Sequence, residues 1–346
     1  MKQRILPRTN LSLSEVGFGV WTVATNWWGE KTDAEAIALL RQAHDLGINF
    51  FDTADTYGNG RGETLLKDAF GPNPDLVYAT KFGYDFYNHA DARRGQQEIP
   101  HNFSPEFVRF ACEQSLTRLG VDAIPLWQVH NARMDNVQNE DLWATLEDLK
   151  NEGKILHAAV ALGPANGWLW EGIGALRHRD IAALQVIHNI LEQHPGGDFL
   201  PDARAKNVGL LVRVPHSSGM LEGKYTLDTV FAANDHRRHR PHSWLVNGLK
   251  KLETLQFLTE NRNQTLGQAA IKWLLAEPLV TSVLPNIYDE EQLREFAAAP
   301  ALPELTADDL ARIVELEKIN FGVLEDEPKH KGEAQSVLQQ WEMGRG

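Results

Sequence analysis

Short apolar runs alternate with segments of helical period along almost the whole chain, and this alternation constrains the fold more than any other feature. The eight runs lie near residues 14–18, 48–52, 76–80, 124–129, 155–160, 183–186, 208–214 and 280–284. Runs this short and this apolar are typical of strands buried on both faces of a parallel sheet. Parallel strands need a crossover connection between them, and a helix usually provides it.

The segments between the runs carry helix signals. Apolar residues recur every three or four positions over residues 33–46, and Thr32 is suited to cap that helix. Ser104 and Pro105 predict the start of a second helix, which ends at Gly120. Further helices are predicted over residues 139–152, 266–276, 289–298 and 307–319.

Eight strand–helix units predict an α/β protein with a single (β/α)8 TIM barrel over residues 1–321, with long loops on its C-terminal face. Residues 322–346 are polar and are predicted to form a loop-like C-terminal tail that either packs over the barrel or frays. An open, doubly wound sheet is the alternative, but no Gly-x-Gly-x-x-Gly follows any strand.

Composition narrows the possible partners and location. The formal net charge of -13 disfavours binding to the phosphate backbone of nucleic acid. No apolar stretch is long enough to predict a membrane span. The single cysteine, Cys112, excludes an intrachain disulfide. We therefore expect a soluble cytoplasmic protein, whose oligomeric state the sequence does not reveal.

Four titratable side chains lie where strands end, which is where barrel enzymes carry their chemistry. Asp52 ends the second strand, Tyr57 lies in the following loop, Lys81 ends the third strand and His130 ends the fourth. Neighbouring strands are about 4.8 Å apart, so these side chains can share one pocket.

These four groups form a coherent set for reducing a carbonyl. A free tyrosine has a pKa of about 10, and it becomes a useful general acid only beside a cation. Lys81 can be that cation, with Asp52 holding its ammonium group. His130, in its neutral form, can orient the carbonyl oxygen.

On these residues the chain resembles the aldo-keto reductase family over about residues 3–320. Residues 17–21 read GFGVW, similar to the family's first-strand motif, and residues 51–58 read FDTADTYG, which matches its Asp-Thr-Ala-x-x-Tyr-Gly motif. Lys81 and His130 fall at the family's other two catalytic positions. Residues 219–225, GMLEGKY, resemble its loop after strand seven. The resemblance implies a (β/α)8 barrel, an extended NADPH and reversible carbonyl reduction.

The resemblance also implies a set of cofactor-binding positions. They are Gly19, Val20, Trp21, Asp52, Gln185, Arg213, Val214, Pro215, His216, Ser217, Ser218, Gly219, Leu221, Lys224, Asn286, Ile287, Gln292 and Glu295. By that resemblance, Gln185 binds the nicotinamide carboxamide, while Arg213 replaces an aromatic residue and can stack on the ring.

The chain departs from the family pattern at both ends of this cofactor site. Ala161 and Leu162 stand where the family usually has Ser-Asn, leaving a backbone group or Asn166 as a replacement. At the adenosine end, Phe296 replaces the asparagine of Gln-Leu-x-Glu-Asn. NADPH is the expected cofactor and NADH is possible.

Two further groups of residues have predicted or open roles. Trp21, Trp27, Tyr84 and Asn131 are expected to line the pocket of a small carbonyl substrate. Residues 235–242 form a basic island in an acidic chain, with Arg237, Arg238 and Arg240 able to clamp the cofactor pyrophosphate or attract an anionic substrate. Histidines at spacing three in this island have no accompanying zinc framework, so no metal site is expected.

Two other functions stay open. A Schiff-base aldolase also needs a strand-end lysine, which would be Lys81. Relatives of the family serve as cofactor-binding subunits of ion channels, so a slow NADP(H) sensor is the second alternative. The intact set of four catalytic residues favours the reductase.

Overall fold

The chain begins with a small antiparallel hairpin, which the computed structural model places ahead of the barrel. The structure describes residues 1–89, 98–232, 235–324 and 330–345. In the hairpin, β1 (Gln3–Ile5) pairs with β2 (Ser12–Ser14). Leu6 and Leu13 are fully buried in a cluster with the first residues of barrel strands, including Phe50 and Val77. The hairpin thus covers the end of the barrel opposite the catalytic loops.

Eight parallel strands follow, each hydrogen-bonded to its neighbour in chain order. They are β3 (Phe18–Gly19), β4 (Phe50–Asp52), β5 (Val77–Phe82), β6 (Ile124–His130), β7 (Ile155–Ala161), β8 (Ala183–Ile187), β9 (Gly209–Arg213) and β10 (Val280–Leu284).

A parallel bridge between Val16 and Val283 joins the first strand to the last. The amide of Gly17 donates to the carbonyl of Val283 over 2.9 Å, and the amide of Val283 donates to Glu15 over 2.9 Å. The sheet therefore closes on itself, which confirms the (β/α)8 prediction and excludes the open sheet. The first strand lies slightly later than residues 14–18, because Ser14 belongs to the hairpin.

The helices connect the strands, cover the barrel or form the C-terminal segment. They are α1 (Trp21–Ala24), α2 (Asp33–Asp45), α3 (Arg61–Phe70), α4 (Phe86–His89), α5 (Pro105–Leu119), α6 (Met134–Gln138), α7 (Glu140–Asn151), α8 (Leu169–His178), α9 (Leu200–Lys206), α10 (His242–Glu253), α11 (Leu266–Leu275), α12 (Glu290–Ala298), α13 (Ala307–Lys318) and α14 (Gln335–Gly344). In the described residues, no helix is both long and apolar enough to cross a membrane.

The local helix signals work as predicted. Thr32 and Glu35 form a reciprocal capping box at the start of α2. Ser104 accepts from the amide of Phe107 at the start of α5. That helix ends at Gly120, whose positive φ of 69° favours glycine. These caps satisfy backbone groups that the ends of a helix leave without a partner.

The prediction of a loop-like tail is wrong for Gln335–Gly344, which form α14. Leu338 is almost completely buried, and its side chain lies close to Gly174 of α8. Trp341 packs edge-on against His178 at 4.9 Å between ring centroids. One face of α14 carries a short apolar stripe of Val337, Leu338 and Trp341. The stripe is too short to predict a helix from the sequence without the surface that it packs against. Residues 325–329 and 346 lie outside the described residues, and the boundary at 321 stays a prediction.

Candidate active site

A buried ion pair lies at the C-terminal end of the barrel. Lys81 on β5 donates from Nζ to Asp52 Oδ2 over 2.5 Å, and Asp52 is the last residue of β4. The same ammonium donates to the carbonyl of Thr53 over 2.7 Å and lies 3.4 Å from the hydroxyl of Tyr57. Lys81 is only 1% exposed, so water does not screen this charge from the tyrosine.

Two glutamines hold the other oxygen of Asp52. Gln128 on β6 and Gln185 on β8 each donate from Nε2 to Asp52 Oδ1 over 2.8 Å. Sequence reasoning assigned Gln185 to the cofactor and missed Gln128. A usable signal existed, because Gln128 precedes His130 by two residues and alternate residues of a strand share a face.

The environment keeps Lys81 protonated. Burial by itself lowers the pKa of the ammonium, but the Asp52 carboxylate and the Tyr57 hydroxyl raise it, and the net pKa lies above the ordinary lysine value. Burial and then the nearby Glu63 raise the pKa of the Asp55 carboxyl well above the usual range. Lys81 is paired with Asp52, as predicted.

Aromatic rings surround the reacting position. The His130 ring lies edge-on to Tyr57 at 5.9 Å and to Tyr84 at 5.0 Å between centroids. The hydroxyl of Tyr84 accepts from Asn131 Nδ2 over 2.6 Å and hydrogen-bonds Glu98. The structure thus brings Asp52, Tyr57, Lys81 and His130 together.

The four side chains open into a cleft of about 1140 Å³. All four predicted substrate-pocket residues line it: Trp21, Trp27, Tyr84 and Asn131. Half of the predicted cofactor residues also line it: Gly19, Trp21, Asp52, Gln185, Arg213, Val214, Ser217, Ser218 and Asn286. The cleft is larger than most small-molecule pockets, which suits a dinucleotide together with a small substrate.

The other predicted cofactor residues do not line this cleft. They are Val20, Pro215, His216, Gly219, Leu221, Lys224, Ile287, Gln292 and Glu295. The ring of His216 is buried, with Nε2 3.0 Å from the carbonyl of Gly267, and it packs on Phe296 at 4.4 Å. Burial lowers the pKa of His216 to about 4, so the ring is neutral.

Arg213, at the end of β9, reaches across to the loop after β7. Its Nη2 donates to the carbonyl of Leu162 over 2.6 Å. Asn166, the suggested replacement for the missing Ser-Asn pair, instead donates from Nδ2 to the carbonyl of His194 over 3.1 Å. The side chain of Arg213 therefore contacts one of the two substituted positions, whereas the hydrogen bond donated by Asn166 goes to His194.

The three arginines of the basic island have different environments. Arg237 donates to Asp235 and, over 2.7 Å, to the hydroxyl of Tyr225, and it lies over the Trp28 ring at 4.5 Å. Arg240 lines the cleft and donates to Ser218 Oγ over 3.0 Å. Arg238 is exposed.

Among the described residues, no group of three or more His, Cys, Asp or Glu side chains is arranged to hold a metal ion.

Comparison with known proteins identifies the family. The model of the "Aldo/keto reductase family" matches residues 15–318. The chain belongs to the aldo-keto reductase family. It is accordingly an oxidoreductase that acts on carbonyl groups with a nicotinamide cofactor.

Individual relatives agree with this family. The chain is 28% identical over 308 residues to the NADH-specific methylglyoxal reductase of Escherichia coli, covering 86% of this chain and 93% of that protein. It is 26% identical to a probable voltage-gated potassium channel subunit beta of Oryza sativa, covering 90% and 95% of the two chains.

A solved structure supports the fold. The holo form of an aldo-keto reductase from Bacillus halodurans superposes with a TM-score of 0.74 at 24% identity, covering 97% of this chain and 99% of that one. At this identity the similarity establishes the barrel architecture alone.

Proposed function

We propose that this aldo-keto reductase reduces a small aldehyde or ketone to the alcohol, with Tyr57 as the proton donor. The observation that carries the proposal is the buried Lys81 ammonium 3.4 Å from the Tyr57 hydroxyl. A bound reduced nicotinamide supplies the hydride. Tyr57 donates its proton to the carbonyl oxygen, and the Lys81 charge stabilises the tyrosinate that this leaves.

The neighbouring groups position this acid. Asp52 holds the Lys81 ammonium, while Gln128 and Gln185 hold Asp52. His130 flanks Tyr57 and orients the substrate oxygen beside the hydroxyl. Lys81, Gln128 and Gln185 already make these hydrogen bonds before substrate arrives, so little reorganisation of them is needed during the reaction.

The cleft fits a nicotinamide dinucleotide. Its lining includes Lys81, Tyr57, Gln185 and Asn286. Gln185 offers an amide group, and Ser217 and Ser218 offer hydroxyls. Such polar groups in a large cleft suit a long, polar cofactor.

The choice between NADPH and NADH is the finer question. The sequence favours NADPH through Gln292 and Glu295. Gln292 Nε2, however, donates to Glu222 Oε2 over 3.0 Å. A carboxylate here accepts from a ribose hydroxyl but repels a 2′-phosphate. We expect NADH to bind at least as tightly as NADPH.

The two alternative functions have specific weaknesses. A Schiff base forms from a neutral amine, whereas the raised pKa of Lys81 keeps the amine charged. A sensor subunit does not need the complete catalytic set, and its support here is the similarity to a channel subunit. Steady turnover of aldehydes would separate the reductase from the sensor.

The test is Tyr57→Phe. We expect kcat to fall at least about a hundredfold, because a positioned general acid contributes roughly 10²- to 10⁴-fold. The dissociation constant of the dinucleotide should stay within about twofold, since the ring remains. Near wild-type kcat with a substrate limited by chemistry would disprove the role of Tyr57.

A further inference from the structure

Arg213 is a charged side chain in the catalytic cleft that the proposed mechanism does not use. Its guanidinium has one hydrogen bond, from Nη2 to the carbonyl of Leu162. Among the described residues, no carboxylate forms an ion pair with it, and Asp52 is paired with Lys81. A partly buried guanidinium that lines the cleft and has unused N–H donors can offer them to an acceptor on a ligand.

Gly163 leaves open the space that this guanidinium occupies. A Cβ at Gly163 would lie 2.2 Å from Arg213 Nη2 and 2.9 Å from Asn131 Oδ1, so a side chain there would have to displace the guanidinium. The hydrogen bond to Leu162 orders the arginine before a ligand binds, which lowers the entropy cost of binding.

Gln185 lies on β8, between β9 with Arg213 and β7, and it can provide the hydrogen-bond acceptor that Arg213 lacks. Its Nε2 is committed to Asp52 and to Gln128, so its Oε1 is the atom that a ligand in the cleft can use. A carboxamide needs a donor for its oxygen and an acceptor for its NH2 group. Arg213 supplies the first and Gln185 the second.

The position of the hydride donor follows from the proposed function. A nicotinamide that reduces a carbonyl beside Tyr57 has to lie in this part of the cleft, next to Gln185. At positions 161 and 162 the side chains are those of alanine and leucine, which donate no hydrogen bond.

We propose that Arg213 binds the nicotinamide carboxamide through its free N–H groups and replaces the side-chain donors missing at Ala161 and Leu162. This inference rests on the proposed function. It assigns Arg213 an edge-on hydrogen-bonding role rather than stacking on the ring. The fixed positive charge also favours the neutral reduced ring over the cationic oxidised ring.

Binding measurements with three ligands isolate the nicotinamide. NADH carries the reduced ring, NAD⁺ the oxidised ring, and ADP-ribose has no ring. Quenching of the fluorescence of the ten tryptophans, or calorimetry, gives each dissociation constant. For Arg213→Gln we expect NADH to bind about tenfold to a hundredfold more weakly, as for loss of a charge-assisted hydrogen bond. ADP-ribose should change by less than twofold, and the preference for NADH over NAD⁺ should shrink.

Two further variants sharpen the result. Arg240→Gln is the matched control, because Arg240 also lines the cleft but bonds Ser218. It should affect NADH and ADP-ribose equally. Adding Ala161→Ser and Leu162→Asn to Arg213→Gln should restore much of the NADH affinity by supplying new donors.

The outcomes that overturn the inference are distinct from failure of the proposed function. Equal weakening of NADH and ADP-ribose by Arg213→Gln, or no weakening of either, removes the carboxamide role. Arg213→Lys keeps the positive charge but lacks the planar N–H donors of the guanidinium. This variant should retain the preference for NADH over NAD⁺ while binding both dinucleotides more weakly. Should the wild-type protein bind neither dinucleotide, the proposed function fails instead.

Discussion

The two ends of the predicted cofactor site are built by different means. At the catalytic end, Lys81, Asp52 and Gln128 lie on neighbouring strands and bond one another through contacts of 2.5–2.8 Å. At the adenosine end, Lys224 lies in a loop, 3.2 Å from Glu291 and 3.9 Å from Glu295 on α12, and its side chain is about half exposed. Barrel strands thus hold the proposed catalytic groups, whereas we expect loops and an outer helix to determine which dinucleotide is accepted.

The largest expected effect comes from breaking the catalytic end. Lys81→Met should lower kcat at least about a hundredfold, because Tyr57 loses its cation. It should also destabilise the fold by about 3–5 kcal/mol, since the Asp52 carboxylate stays buried without its partner. Steady-state kinetics and urea unfolding measure the two effects.

A double variant checks the second half of that prediction. Lys81→Met combined with Asp52→Asn should recover part of the lost stability, because the buried charge is gone, while kcat stays low. Equal destabilisation in the single and double variants would show that the unpaired carboxylate is not the cause.

A smaller effect is expected from Gln128→Met. This change removes one of the two amide donors to Asp52 Oδ1, but Gln185 and Lys81 still hold the carboxylate. We expect kcat to fall about tenfold, in line with one hydrogen bond to a charged group. Dinucleotide dissociation constants should hardly change, and a change in binding larger than the change in kcat would contradict this separation.

At the adenosine end, Glu222→Gln should shift the ratio of the NADPH and NADH dissociation constants toward NADPH by about tenfold, the size expected for one nearby charge. Glu290→Gln is the matched control. It removes one carboxylate from α12, the helix that carries Gln292, but Glu290 pairs with Arg294 and not with Gln292. Titration of each dinucleotide with both variants measures the ratio. An equal shift in both variants would indicate a general charge effect and not a specific contact.

The same carboxyl predicts a pH dependence. Burial raises the pKa of Glu222 to about 7, against the opposing effects of Gln292, Lys224 and Arg237. Below pH 7 the group is largely neutral, and above it the carboxylate repels a 2′-phosphate. The disadvantage of NADPH should therefore grow between pH 6 and pH 8. In Glu222→Gln, the pH dependence of the ratio of the two dissociation constants should shrink to the part that comes from ionisation of the 2′-phosphate itself.

The smallest effect is expected in the basic island. Arg237 bonds Asp235 and Tyr225 and covers Trp28, so Arg237→Gln should speed dinucleotide release a few-fold, the effect of about 1 kcal/mol. Arg238→Gln, at an exposed position, should leave the rate unchanged. Stopped-flow displacement measures both, and equal rates in the two variants would leave the island without a role at the cleft.

The sequence by itself determined the barrel and placed the four predicted catalytic residues on one face of it. Alternating apolar runs specify buried parallel strands, and parallel strands of a barrel end on one face, so Asp52, Lys81 and His130 had to converge there. The distinctive residues 51–58 then pointed to Tyr57 as the acid. These inferences need only local pattern and the geometry common to every such barrel.

Tertiary structure alone decided which groups became partners. Arg213 meets the carbonyl of Leu162, and Glu222 meets Gln292, across 51 and 70 positions of the chain. The helix Gln335–Gly344 likewise depends on the surface of α8 that receives Leu338. Hydrogen bonds and packing depend on distances of a few ångströms between distant segments, and no local sequence pattern encodes those distances.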